Sequence, residues 1–340
     1  MSFRSESTLA GYARAAVDLR ARMADHTRSR FAQQYLKAFL GPDADATRGG
    51  PDTGARAADA FSRAAHQPWQ DGEPYVLAPA MTAIIAAAAQ ALDLTGDIVG
   101  NDVAPSDAGV LFLPEPIYER GVHGQVTSIG AIAWAKFHNT SNGRTGWWIT
   151  GWADRDDPLD PAATRRRQLT EAPELAARFG PYVLHSSAEI PIGTPIIAPG
   201  EPAEAVDQDW ETAPDGRFCI DESLLRMRAV AAVLDAFWRI QEQPLATVTR
   251  PPLDRPARRR ALRANLRHDT RVVMLRRTTP VTESTGEAKW HYRVRFVVRG
   301  HWRRLTNADG QPYRIWIHAH IKGPDGAPLL LGETVSVLAR

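Results

Sequence analysis

Residues 290–304, WHYRVRFVVRGHWRR, followed after a short polar loop by residues 313–322, YRIWIHAHIK, decide how this chain is read. In the first run Trp290, Tyr292, Val294, Phe296, Val298 and Trp302 alternate with His291, Arg293, Arg295, Arg299, His301 and Arg303. Successive side chains of a strand point to opposite faces, so this alternation gives one strand an apolar face and a cationic one. The second run inverts the parity. Tyr313, Ile315, Ile317 and Ile321 are apolar, and Arg314, Trp316, His318, His320 and Lys322 fall on the other side. The pattern predicts an antiparallel hairpin with a shared basic, histidine-bearing face.

The surrounding sequence strengthens the cationic reading. Residues 250–304 hold 16 Lys and Arg against Asp254, Asp269, Glu283 and Glu287, a local net charge of +12, whereas the whole chain of 340 residues carries +2. A split on this scale points to a basic C-terminal module that meets an anion, and nucleic acid is the commonest one. Pro256–Arg267, PARRRALRANLR, predicts a short cationic helix opened by its proline. Asp269–Arg277 and Pro328–Leu338 read as strands that flank the central pair, giving a roughly four-stranded antiparallel sheet. Asp221–Gln243 reads as a helix with one broad apolar face and Asp221 as its cap.

Upstream, Leu9–Leu40 has a helical apolar repeat with Ser7 and Thr8 as candidate caps and a break near His26. Residues 41–54 form a loop by composition, and Ala55–His66 and Pro79–Leu94 read as helices. Gly109–Leu113, Ile129–Phe137 and Thr145–Ala153 read as strands, with Asn142-Gly143 as a hairpin turn. Trp134, Trp147, Trp148 and Trp152 concentrate there and are read as core with an amphipathic rim, ahead of a base-stacking platform. Pro161–Phe179 reads as a helix closed by Gly180. The Pro-, Gly- and acid-rich residues 190–216 are the candidate linker or surface loop. The expected fold is therefore α+β. A mostly helical, acidic part (1–189) carries a small Trp-rich antiparallel β element, and a basic module (217–340) carries helices and the four-stranded sheet.

Composition narrows the class. With 44% hydrophobic and 24% charged residues the chain can bury a sizeable core. The N-terminal residues lack the apolar segment of a signal peptide, and the most apolar run, Met81–Leu94, is too short to cross a bilayer, so a cytoplasmic protein without membrane contact is expected. Cys219, the only cysteine, excludes an intrachain disulfide and a cysteine zinc cluster, and is read as a small buried residue. No P-loop, dinucleotide fingerprint, nucleophile elbow or zincin motif occurs. Asp154, Asp156, Asp157 and Asp160, around Pro158, are read as solvated loop acids.

The segments VVRGHWRR (297–304), WIHAHIKGP (316–324) and VSVLAR (335–340), behind LPEPIYE (113–119), form a pattern. It resembles that of uncharacterised proteins carried by actinobacterial phages, prophages and plasmids. The resemblance covers about the last 70 residues best and transfers no activity. What it implies is a mobile-element context, in which nucleic-acid transactions, growth inhibition and defence are frequent.

A symmetric loop over Leu305–Pro312 would oppose Arg299 to His318 and His301 to Trp316, leaving His301 and His318 as diagonal neighbours at roughly 7–8 Å. Two imidazoles among arginines suit metal-independent phosphodiester cleavage. One neutral histidine takes a proton, a protonated one donates to the leaving oxygen, and arginines hold the phosphate. The candidate catalytic residues are His301, His318, His320 and Arg299. Candidate phosphate contacts are Arg258, Arg259, Arg260, Arg293, Arg295, Arg303, Arg314 and Lys322. RNA brings its own nucleophile and ranks ahead of DNA as the substrate of such a toxin- or defence-type endoribonuclease, which would need no cofactor. A metal on His318 and His320 with His301 or His291 ranks below, because that face has no carboxylate to neutralise the ion. The acidic part could dock on the basic face as an internal inhibitor. The alternative from another class is a non-enzymatic interaction or structural protein of a phage or plasmid, with an acidic protein partner or its own copies on the cationic face.

Overall fold

The computed structural model of the chain describes residues 3, 6–36, 62–120, 126–138, 143–157, 173–176, 178–197, 219–221, 227–276, 296–298, 300–308, 310, 312–317 and 320–322. The fold is α+β, built on one mixed eight-stranded sheet. Its strands are β1 (Glu73–Leu77), β2 (Ala108–Arg120), β3 (Val126–His138), β4 (Thr145–Asp154), β5 (Tyr182–Pro191), β6 (Cys219–Asp221), β7 (Ala246–Thr249) and β8 (Arg271–Leu275). They lie in the order β5-β4-β3-β2-β1-β8-β7, with β6 paired to the far end of β2. From β5 to β2 the pairing is antiparallel, whereas β1 runs parallel to both β2 and β8.

Alternation along the strands feeds two cores, one on each face. Helix α1 (Leu9–Arg28), the helical residues α2 (30–36) and α3 (62–71), and Val76, Val110, Phe112, Trp148 and Trp152 form one. Helices α4 (Pro79–Gln90) and α6 (Ala229–Ile240) close the other over Tyr75, Leu111, Trp134, Trp147 and Ile149. A one-turn helix α5 (Pro173–Ala176) lies between β4 and β5, and α7 (Arg255–Arg263) packs beside α1. Thr8 caps α1, its hydroxyl accepting from Gly11 N at 3.0 Å, and the helix breaks at Ser29, whose ψ of 146° is extended. Both features agree with the expected cap and the break near His26.

The sheet departs from the sequence reading in extent and partnership. The expected small Trp-rich element is the longer half of the main sheet, and all four of its tryptophans are buried, with no exposed rim. The strand expected at Asp269–Arg277 is β8, and it pairs with β1 and β7 rather than with the basic hairpin. Burial explains this choice. Val272 and Val273 are both fully buried, one in each core, and a strand apolar on both faces belongs inside a covered sheet. Among the described residues no four-stranded C-terminal sheet is therefore built around the hairpin. The two charge halves of the sequence share one sheet, since β1 to β5 end by Pro191 and β6 to β8 follow from Cys219; the expected linker at 190–216 thus starts inside β5, where Ile190 is fully buried. Pro328–Leu338, Ala55 to residue 61, and residues 198–216 lie outside the described residues.

The hairpin is β10 (His301–Thr306) with β11 (Pro312–Ile317), continued by β9 (Phe296–Val298) and β12 (His320–Lys322). It rests on α4 and α6. Trp302 Nε1 donates to the Ala88 carbonyl at 2.9 Å, the Trp316 backbone N–H donates to Gln243 Oε1 at 3.0 Å, and the two indoles meet edge to face at 5.3 Å. Gly300 is required beside them, because a Cβ there would lie 2.5 Å from the Trp316 ring.

Candidate nucleic-acid interface and a buried polar centre

The hairpin register is displaced by one residue from the symmetric expectation. His301 opposes Ile317, Trp302 opposes Trp316, and Arg304 opposes Arg314. A one-residue slip moves every side chain of a strand to the other face. The physical reason is the pair of tryptophans, which the core of α4 and α6 can take together only if they face the same way. The outer face thus joins His301 and Arg303 to Ile317, Ile315 and Tyr313, not to a second row of cations. His318 and Arg299, together with Arg293, Arg295 and His291, lie outside the described residues. His320 and Lys322 oppose Val298 and Phe296 in the ladder.

Arg314 is turned inward with the tryptophans. Its side chain is 7% exposed, donates to Asp97 Oδ1 at 2.6 Å and to the Asp93 carbonyl at 2.5 Å, and its pKa is lowered by burial despite the Asp97 charge. A guanidinium held this way is a structural anchor rather than a phosphate contact.

Helix α7 has the opposite character. Asp254 caps it, accepting from Ala257 N at 2.8 Å, and of its residues only Ala257 is buried. With 3.6 residues per turn, Arg255, Arg258, Arg259, Leu262 and Arg263 share the arc facing away from α1. All five are exposed, Leu262 at 79%. Arg260 points sideways and is paired with Asp18 at 2.7 Å. The hairpin and α7 lie on opposite sides of the sheet, so among the described residues the predicted arginines of the two elements do not converge on one surface.

Among the described residues no group of three His, Cys, Asp or Glu side chains could hold a metal ion. Of the acidic loop, Asp156 is exposed and paired with Arg155 at 3.0 Å, but Asp157 is buried and accepts from the Tyr118 hydroxyl at 2.7 Å, which corrects its reading as a solvated acid. Asp160 lies outside the described residues. Cys219 opens β6 and is half-buried rather than sealed.

The chemistry that sequence reasoning missed lies at the other end of the sheet. Glu119 on β2 and His185 on β5 meet beneath α6, with His185 Nδ1 3.1 Å from Glu119 Oε1. They are 66 residues apart; Glu119 closes the LPEPIYE segment but His185 lies in none of the quoted segments, and only the folding of the sheet unites them. The chain matches no family model, no curated protein and no solved structure in comparisons with known proteins.

Proposed function

We propose that this chain is a nucleic-acid-binding protein whose contact element is the outward arc of α7. The carrying observation is that Arg255, Arg258, Arg259 and Arg263 are exposed and have no carboxylate partner among the described residues, while neighbouring Arg260 and Arg267 are paired with Asp18 and Asp71. Arg255, Arg259 and Arg263 recur every four residues, roughly 6 Å apart along the axis, so they can track one phosphate backbone. Exposed Leu262 in their midst offers an apolar contact to sugar or base. His301 and Arg303 on the outer face of the hairpin form a second, smaller cationic surface. In its ribonuclease form this reading would use His301 there, with Arg303 beside it.

The test is fluorescence anisotropy with single- and double-stranded RNA and DNA of equal length at 50 and 200 mM salt. Binding through four arginines weakens by about a hundredfold over that range, and replacing all four by alanine removes up to about four units of the salt slope. An unchanged slope in the quadruple variant overturns the assignment. Incubation of labelled RNA with the wild-type chain and with His301→Ala tests the cleavage form. A second reading, contact with a protein, is favoured by the outer hairpin face, where Tyr313 is 45% exposed beside half-buried Leu305, Ile315 and Ile317.

A further inference from the structure

The way α7 lies on the protein bears on which nucleic acid its arginines suit. Of its nine residues only Ala257 is buried, while Ala261 and the cap residue Ala264 are half-buried. At about 100° per residue these three alanines fall within about 60° of one another on the helix circumference. Methyl side chains along so narrow a line let the helix backbone lie close to the body, and everything else stands out. The exposed residues from Arg258 round to Arg260 sweep about 200°. The helix is therefore a ridge on the surface.

Arginines occupy both shoulders of that ridge. Arg258 stands about 140° from Arg263, with Leu262, Arg255 and Arg259 between them. The carboxylates around the helix do not offset this charge, because each has its own arginine: Asp18 is paired with Arg260 and Arg22, Asp254 with Arg14, and Asp71 with Arg267. A single strand offers one file of phosphates and needs cations along one line. Cations on two shoulders, with an apolar side chain between, match two backbones flanking a row of base edges. Single strands are also held by stacking on aromatic rings. Among the described residues the exposed large aromatic is Tyr313, which lies on the hairpin, across the sheet from α7.

We infer that α7 enters the major groove of B-form DNA, an inference that rests on α7 being the contact element. An α-helix with its side chains is about 10–12 Å across and that groove is about 12 Å wide, whereas the major groove of duplex RNA is too deep and narrow for side chains to read. At about 1.5 Å per residue the nine residues reach about 13 Å, or about four base pairs. The row Arg255, Arg259 and Arg263 follows one strand and Arg258 reaches the other. Leu262, 79% exposed, meets the base edges between them, where thymine offers its methyl group.

The experiment is fluorescence anisotropy of the full chain, at one fixed salt concentration, on a thymine-rich DNA duplex, the same duplex with uracil for thymine, the RNA duplex of matching sequence and the separate DNA strands. The thymine duplex should bind about tenfold or more tightly than duplex RNA or either strand, and about threefold more tightly than the uracil duplex. Methyl green, which occupies the major groove, should displace the chain, and netropsin, a minor-groove ligand, should not. Leu262→Ala should abolish the thymine preference and leave the salt slope unchanged, since no phosphate contact is lost. Leu262 and the four arginines are exposed, so their variants should keep the wild-type thermal transition by circular dichroism. Equal affinity for duplex RNA or a single strand, displacement by netropsin, or no Leu262-dependent response to the thymine methyl overturns the major-groove assignment. If binding then still depends on Arg255, Arg258, Arg259 and Arg263, α7 remains the contact element. Binding that ignores those arginines on every nucleic acid overturns both.

Discussion

Arg20 shows how much one side chain can organise. It is fully buried on α1, and its guanidinium donates to the carbonyls of Trp69, Gln70, Gly72, Arg267 and His268, tying α1 to the end of α3, the start of β1 and the turn before β8. Burial brings its pKa down to about 10, still charged at neutral pH. Arg20→Met strips five carbonyls of their donor and should cost at least about 3 kcal/mol in urea unfolding. Lysine, a point charge with three donors, should recover only part of that. Two histidines near the end of α1 set a pH dependence. Burial lowers His26, helped by Arg155, and lowers His66, helped by Arg28. Each holds fewer protons folded than unfolded just below its ordinary value of 6.5, so stability falls as pH drops from 6.5 toward the folded value and then levels off. The melting temperature should decrease between pH 7 and 5, and the double variant His26→Gln, His66→Gln should flatten that slope.

At the scale of elements, capping and register carry separate, testable energies. Helix α7 ends with Asn265 at φ 51°, and Leu266 N bonds back to the Ala261 carbonyl at 2.9 Å, a left-handed cap. Asn265→Ala should cost about 1 kcal/mol, whereas Asn265→Gly should leave the unfolding midpoint where it is. The hairpin gives a sharper contrast. Trp316 is 4% exposed and Tyr313 45%, so Trp316→Ala should destabilise by about 3–5 kcal/mol and Tyr313→Ala by less than about 1. The reverse order would mean that the strands pair one residue out of step with the register described above. In the main sheet, β1 is anchored by the bidentate Arg271–Glu73 pair, with Tyr75 hydroxyl on the same carboxylate at 2.9 Å. Burial raises Glu73, but the hydrogen bonds from Arg271 and Tyr75 outweigh it and hold the carboxyl below its ordinary value.

For the whole molecule, the decisive fact is that both charge halves build one sheet. Strands β7 and β8 complete an edge begun by β1 and β2, and α6 shares a core with α4. Residues 1–189 and 217–340 produced separately should therefore show no cooperative thermal transition by circular dichroism, while co-expression should restore one. A cooperative transition in the isolated 217–340 segment would establish an independent C-terminal unit instead. The charge asymmetry survives folding because the exposed arginines of α7 lie at the periphery, but it is divided between the two sides of the sheet rather than gathered on one.

Local periodicity and capping settled much from sequence alone. The Thr8 cap and the break of α1, the proline-opened cationic α7, the β3–β4 pairing around Gly143 and the existence of the basic hairpin all follow from neighbours a few residues apart, and all are present. What the tertiary structure decided was partnership. Whether β8 joins the hairpin or β1, which way Trp316 and Arg314 face, and that Glu119 meets His185 across β3 and β4 depend on competition between distant segments for one buried surface. Two indoles seeking the same core outweighed a symmetric loop. Such choices are fixed by burial and close packing among residues far apart in the chain, and no repeat of two or 3.6 residues encodes them.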